Sequence, residues 1–101
     1  MSKIDYRTDK DILYISLDGR IDASNAADVE NEINEIRSAN QGMHTVLDAD
    51  ALEYISSAGL RVLLTAQKKM NVQGSMELTN VSEAVMDIFE MTGFADILVI
   101  K

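Results

Sequence analysis

The stretch that decides the fold is HTVLDADALEYISSAGLRVLL, residues 44–64. Its first part, HTVLDAD, is a short apolar run that predicts a central β-strand with Asp48 and Asp50 near its carboxyl end. Its last part, YISSAGLRVLL, places leucines at the spacing of a buried helix face. The residues predicted to form that face are Leu60, Leu63, Leu64 and Met70. A strand that leads into a helix is typical of α/β domains, so this stretch predicts the fold class.

The flanking segments extend the same pattern of strands and helices. DILYISLDG, residues 11–19, has one wholly apolar face and predicts a strand that ends at Gly19, preceded by a weaker strand over residues 4–7. Helical spacing then begins at Ser24 or Asn25. The remaining predicted elements are a turn at NVQG, a strand at SMELTN, a helix from Ser82 to Gly93 and a strand at ILVIK. The order is β-β-α-β-α-β-α-β, in which helical crossovers make the later strands parallel.

Length and composition predict one globular domain over residues 1–101. The chain is 47% apolar and 26% charged, which is ordinary for a folded soluble protein. The first residues, MSKIDYRTDKD, contain charges throughout and no apolar block, so they do not resemble a secretory signal. Cysteine is absent from the sequence, and the cytoplasm is therefore the expected location.

The charge of the chain restricts its partners. The formal net charge is −8, and residues 1–55 alone hold 12 acidic and 5 basic side chains. Binding to nucleic acid depends on Lys and Arg that neutralise phosphates, so we expect no direct contact with nucleic acid and none with an anionic membrane. The acidity either keeps the protein soluble or forms a face for a basic protein partner.

The sequence offers no set of residues that would form an enzyme active site. His44 is the only histidine, and neither a G-x-S-x-G elbow nor a glycine-rich phosphate loop is present. We therefore expect no cofactor and no catalytic residue. Asp22, Asp48 and Asp50 leave a metal-dependent enzyme as a formal alternative, although their spacing is not that of a calcium loop.

The two serines before Ala58 have two possible roles. A serine at the start of a helix can cap the unpaired backbone N–H groups, and the same position accommodates a phosphoryl group. If the middle of the sheet is parallel, Asp22, Asp48 and Asp50 lie at the same edge as Ser56 and Ser57. Phosphorylation adds about −1.5 to −2 charges at neutral pH. Among carboxylates, that charge would alter a docking face more than it would alter the fold.

Three segments resemble the STAS domain family, in particular its stand-alone bacterial anti-sigma factor antagonists. The segments are LDGRIDASNAADVENEI, HTVLDADALEYISSAGLRVLL and GSMELTNVSEAVMDIFEMTGF. The most specific motifs are G-x-[IL]-D at residues 19–22, [FY]-[IM]-x-S-x-G-L at residues 54–60, and MTGF after them. The resemblance implies an open, mixed, mainly parallel sheet of about four to five strands, with helices packed mainly on one face.

The resemblance also implies a function that is switched by phosphorylation. In such proteins the dephosphorylated antagonist binds a serine-kinase-type anti-sigma factor and frees the sigma factor, and a serine phosphatase reverses the modification. By position the acceptor is Ser57. Ser56 stands where many members have Asp, which makes it a competing acceptor, and Ala58 stands where they have Ser or Thr.

The predicted partner surface surrounds these serines. It comprises Asp22, Asp48, Asp50, Ser56, Ser57, Ala58 and Arg61. Arg61 is equally well explained as a solvated helix residue. The alternative function is a STAS subunit of another assembly, such as a signalling scaffold or a lipid-transport complex, in which Ser57 only caps the helix.

Overall fold

The computed structural model describes residues 4–73 and 75–101, with side chains described outside residues 70–74. The predicted position of Met70 on the buried helix face lies outside the described side chains. The elements are β1 (Tyr6–Asp9), β2 (Ile12–Ile21), α1 (Ala26–Ala39), β3 (His44–Ile55), α2 (Ser57–Gln73), β4 (Met76–Thr79), α3 (Glu83–Thr92) and a 3-10 turn (Phe94–Asp96).

The described strands form one sheet of four strands in the order β1-β2-β3-β4. β1 pairs with β2 in antiparallel fashion, and β2, β3 and β4 are parallel. α1 connects β2 to β3 and α2 connects β3 to β4, so both parallel connections are helical crossovers. The predicted open, mixed and mainly parallel sheet is confirmed.

One face of the sheet is buried under the helices. Ile15, Leu47 and Leu78 are neighbours on β2, β3 and β4, and each is completely buried. On the opposite face Ser16 is exposed and Tyr14 is only half-buried. This difference follows from the two-residue period of a strand and confirms that the helices pack mainly on one face.

β2 and β3 both continue farther than the sequence predicted. Gly19 does not end β2. It has a φ of +65° and lies at an irregularity in the pairing with β3, and the strand continues beyond it to Ile21. β3 does not end near Asp48 but continues to Ile55, and it has β2 as its partner along this second half. The pairing register between β2 and β3 shifts once before Gly19 and once after it, and at each shift β3 has one more residue than β2.

Two predictions for the carboxyl-terminal half were wrong. NVQG was expected to form a turn, but α2 continues to Gln73 because no glycine or proline interrupts the helix before Gly74. ILVIK was expected to form a strand, but a single bridge joins Ile100 to Leu78. The chain after α3 first forms a 3-10 turn over Phe94–Asp96, and the residues that follow meet β4 only at this bridge.

Candidate functional site

The candidate site lies where β2 and β3 end together and α2 begins. Ile21 pairs with Ile55 at the last step of the ladder, and the Ser56 backbone N–H donates to the Ile21 carbonyl at 2.8 Å. Asp22 and Ser56 are therefore the next residues on two adjacent strand ends. We call this region the serine edge and define it by Arg20, Asp22, Tyr54, Ser56 and Ser57.

Gly59 allows α2 to begin against the ends of these strands. A Cβ atom at Gly59 would lie 2.7 Å from Ile21 Cγ2, 2.7 Å from Ile55 Cγ1 and 3.0 Å from the Ile21 carbonyl oxygen. These distances are shorter than van der Waals contact, so the first turn of the helix requires glycine here. Gly59 thus allows Ser56 and Ser57 to lie close to the ends of β2 and β3.

The two serines differ in their hydrogen bonding and exposure. The Ser56 hydroxyl accepts from the Gly59 N–H at 3.4 Å, and the Ser56 carbonyl accepts from the Leu60 N–H at 2.8 Å. Ser56 is therefore the N-cap and is half-buried. Ser57 is the first helical residue and is exposed, and no hydrogen bond found within residues 4–73 and 75–101 involves its hydroxyl. The hydroxyl that caps α2 is thus that of Ser56, whereas the alternative function assigned the cap to Ser57.

Asp22 is held in a fixed orientation beside the serines. Its Oδ1 accepts from the Ser24 hydroxyl at 2.6 Å and from the Ser24 N–H at 3.0 Å, and Oδ2 lies 3.9 Å from Arg20 Nε. These bonds from Ser24, with smaller contributions from the Arg20 charge and the Asn25 backbone, lower the pKa of the Asp22 carboxyl below its usual value. Asp22 therefore presents a negative charge at neutral pH.

The Asp22 turn also contains a contact that the sequence analysis missed. Asn25 stands at the N-cap position of α1, but its side chain makes no capping bond. Its Oδ1 instead accepts from the Asp22 N–H at 2.9 Å, and its Nδ2 donates to the Arg20 carbonyl at 2.8 Å. Asp, Ser and Asn commonly form such local side-chain to backbone bonds, so the segment DASN carried a signal for this turn.

Arg20 and Tyr54 form a second contact that was not predicted. They are paired across β2 and β3, and the Arg20 guanidinium lies 4.5 Å from the centroid of the Tyr54 ring. This distance is within the range of a cation–π interaction. The serine edge therefore combines an anchored carboxylate, a stacked arginine and an exposed hydroxyl.

Asp48 and Asp50 do not join the serine edge as predicted. Asp48 pairs with Ser16 and Thr79, which places it several ladder steps before Ile55. Its Oδ1 accepts from the Asp50 N–H at 3.0 Å and from Asn80 Nδ2 at 3.0 Å. Asp48 therefore ties β3 to the loop after β4, while Asp50 is exposed. The prediction failed because β3 continues for seven residues beyond Asp48.

The site offers no evident means of catalysis. Within the described part of the chain, no three His, Cys, Asp or Glu side chains come together as a potential metal site. His44 lies at the beginning of β3, away from the serine edge, and contacts the Ser75 hydroxyl and Glu77 Oε1, the latter at 2.6 Å. Among the described helices, none has the length and apolar character needed to cross a membrane.

Comparison with known proteins identifies the class. The model of the STAS domain family matches residues 3–101, and the chain belongs to this family. A protein named as an anti-sigma factor antagonist, BtrV of Bordetella bronchiseptica strain RB50, is 37% identical over 99 residues, which cover 96% of this chain and 79% of that protein. The anti-sigma-B factor antagonist of Listeria monocytogenes is 32% identical over 94 residues, with 92% and 82% covered. The predicted family is therefore confirmed.

Solved structures show the same fold. The anti-sigma factor antagonist SpoIIAA in its unphosphorylated form superposes with a TM-score of 0.76 at 17% identity, covering 97% of this chain and 87% of that one. The phosphorylated form of the Bacillus cell fate determinant SpoIIAA gives a TM-score of 0.69 at 16% identity, with 97% and 90% covered. The names of these relatives describe a regulatory binding role rather than an enzyme activity.

Proposed function

We propose that this protein is an anti-sigma factor antagonist whose binding is switched by phosphorylation of Ser57. In its dephosphorylated form it binds a serine-kinase-type anti-sigma factor, and the sigma factor is released. The relatives named as antagonists support the binding role. The observation that carries the choice of acceptor is the exposed Ser57 hydroxyl beside a Ser56 hydroxyl that caps the helix.

The proposed modification is a simple exchange of a phosphoryl group. The kinase transfers the γ-phosphoryl group of ATP to Ser57 Oγ, takes up the hydroxyl proton and releases ADP. A serine phosphatase then uses water to release inorganic phosphate and regenerate the hydroxyl. Because Ser57 is exposed and the Ser56 hydroxyl accepts from Gly59, a kinase reaches Ser57 without disrupting the cap.

The physical effect of the phosphate is a change in surface charge. It adds about −1.5 to −2 charges next to Asp22, whose lowered pKa keeps it ionised. The first N–H groups of α2 tolerate a negative charge at this end of the helix, so the fold remains. A partner that docks on the uncharged hydroxyl meets repulsion and a larger group after modification. SpoIIAA has been solved in both states, so this fold accommodates both.

The centre of the proposed docking surface contains fewer residues than the sequence predicted. The serine edge and the first turns of α2 beyond it contain five of the predicted residues, Asp22, Ser56, Ser57, Ala58 and Arg61. Asp48 and Asp50 lie farther along β3, and they contact the partner only if the interface extends along that strand.

The alternative is a STAS subunit of a scaffold or transport assembly. That alternative assigned the Ser57 hydroxyl to the helix cap, which Ser56 provides. It predicts no phosphorylation of Ser57, so one experiment separates the two functions.

The test is incubation with ATP and the serine-kinase-type anti-sigma factor of the source organism, followed by intact-mass analysis and peptide mapping. We expect one phosphate on the wild type and on Ser82→Ala, a control that removes the analogous cap of α3. Ser57→Ala should remain unmodified. Labelling of Ser57→Ala to the wild-type extent would assign the phosphate to another residue, and an unmodified wild type would favour the scaffold alternative.

A further inference from the structure

Arg61 lies one helical turn after the proposed phosphoacceptor. It is exposed, and it is the only charged residue between Ser57 and Gln67 in the sequence. α2 has no acidic residue in its first turn. Arg61 is therefore the one source of side-chain charge that the first part of α2 itself contributes near Ser57.

The geometry of a helix directs Arg61 toward Ser57. Residues four apart in a helix are neighbours on its surface, with Cβ atoms about 5–6 Å apart. Each Cα–Cβ bond tilts toward the amino terminus, so a long side chain covers the turn that precedes it. An acidic group four residues before a basic one is the more favourable order of the two. Ser57 acquires the acidic group only when it is phosphorylated.

Among the residues whose side chains the structure describes, 4–69 and 75–101, Arg61 has no competing partner. Neither of the ion pairs found there includes Arg61, and neither do the two cation–π contacts. The other arginine at this edge, Arg20, is stacked on Tyr54 and lies 3.9 Å from Asp22. Arg61 is thus the cation that a phosphate on Ser57 engages without breaking an existing contact.

We propose that Arg61 is the intramolecular counter-charge of phosphorylated Ser57, an inference that rests on the proposed function. The guanidinium donates to the phosphate oxygens and orders the group against α2. It offsets the repulsion from the Asp22 carboxylate, so phosphorylation changes the docking surface while the beginning of α2 stays helical. In the unmodified protein Arg61 extends into solvent.

The test uses protein in which phosphoserine is incorporated at position 57 during synthesis, so no kinase is needed. A ³¹P NMR titration measures the second pKa of the phosphate, which is about 6 in an unperturbed phosphoserine. An i, i+4 charge pair of ordinary strength implies that Arg61→Gln raises this pKa by about 0.2–0.4. Arg61→Lys should keep most of the wild-type value, because it retains the charge.

Two further variants complete the experiment. Lys68→Gln removes an exposed charge from the same helix eleven residues after Ser57, and we expect it to leave the phosphate pKa unchanged. Arg20→Gln tests the other arginine at this edge. A pKa that is insensitive to Arg61→Gln, or that responds only to Arg20→Gln, would overturn the inference. Failure of a kinase to modify Ser57 would contradict the proposed function alone, because this titration does not depend on a kinase.

Discussion

At the scale of single residues, adjacent serines carry separate structural roles. Ser56 supplies the cap of α2 with its hydroxyl and carbonyl, whereas Ser57 begins the helix with an exposed hydroxyl. A protein with a single serine here would need one hydroxyl both to stabilise the helix and to accept phosphate. In the proposed function, this division lets Ser57 be phosphorylated while the helix keeps its cap.

This division predicts different stabilities for two alanine variants. Ser56→Ala removes the cap and should lower the free energy of unfolding by about 0.5–2 kcal/mol, as for helix caps in general. Ser57→Ala removes an exposed hydroxyl and should stay within about 0.5 kcal/mol of the wild type. Urea denaturation monitored by circular dichroism measures both. A larger loss for Ser57→Ala than for Ser56→Ala would show that the cap had been assigned to the wrong serine.

At the scale of elements, the position of α2 depends on its close contact with the strand ends. Gly59 faces Ile21 and Ile55 at distances that leave no room for a side-chain carbon. The hydrogen bond from Ser56 to the Ile21 carbonyl fixes the same junction from the strand side. The ends of β2 and β3 and the first turn of α2 are thus packed directly against one another.

Gly59→Ala should therefore destabilise the protein although alanine favours helices. The steric conflict with Ile21 and Ile55 costs about 1–3 kcal/mol, and the gain in helix propensity offsets up to about 1 kcal/mol. Thr65→Ala, at an exposed position of the same helix, serves as the control and should be neutral or stabilising. Denaturant unfolding of the three proteins gives the comparison, and a Gly59→Ala variant more stable than the wild type, as helix propensity alone would make it, would refute the close contact.

The sequence predicted the elements better than their ends. The apolar periods of β2, α1, β3 and α2 predicted strands that are joined by helical crossovers and are therefore parallel, and the family resemblance implied the mixed sheet. The Ser82 cap and the Gly93 end of α3 were also confirmed. The end of β3 was misplaced because DAD appeared to be a strand terminus, whereas irregular pairing with β2 carries the strand onward. Bulges depend on tertiary pairing, which local patterns do not encode.

The candidate site was also predictable only in part, because some of its positions depend on how the strands pair. Asp22 and the serines belong to motifs contiguous with strand ends, so topology placed them together. Asp48 was wrongly placed at the serine edge because its position depends on the register with Ser16 and Thr79. The Arg20–Tyr54 contact requires knowledge of which residues face each other across β2 and β3, and a single sequence does not supply this.

At the scale of the whole molecule, the architecture separates the proposed phosphorylation site from the core. Ile15, Leu47 and Leu78 are completely buried on the face of the sheet that the helices cover, whereas Ser57 lies beyond the strand ends. A modification there changes charge on a surface of a protein that is already acidic, with a net charge of −8. Under the proposed function, the fold would therefore present one docking face in two charge states.

The proposal that phosphorylation of Ser57 switches binding is tested most directly by measuring two affinities. Isothermal titration calorimetry without ATP compares the unmodified and the Ser57-phosphorylated protein in their binding to the serine-kinase-type anti-sigma factor of the source organism. If phosphorylation of Ser57 is the switch, the unmodified protein and Ser57→Ala should bind with similar affinity. Phosphorylation should weaken binding roughly tenfold or more, a change of about 1.4 kcal/mol or above. Equal affinity of the phosphorylated and unmodified proteins would contradict a switch at Ser57.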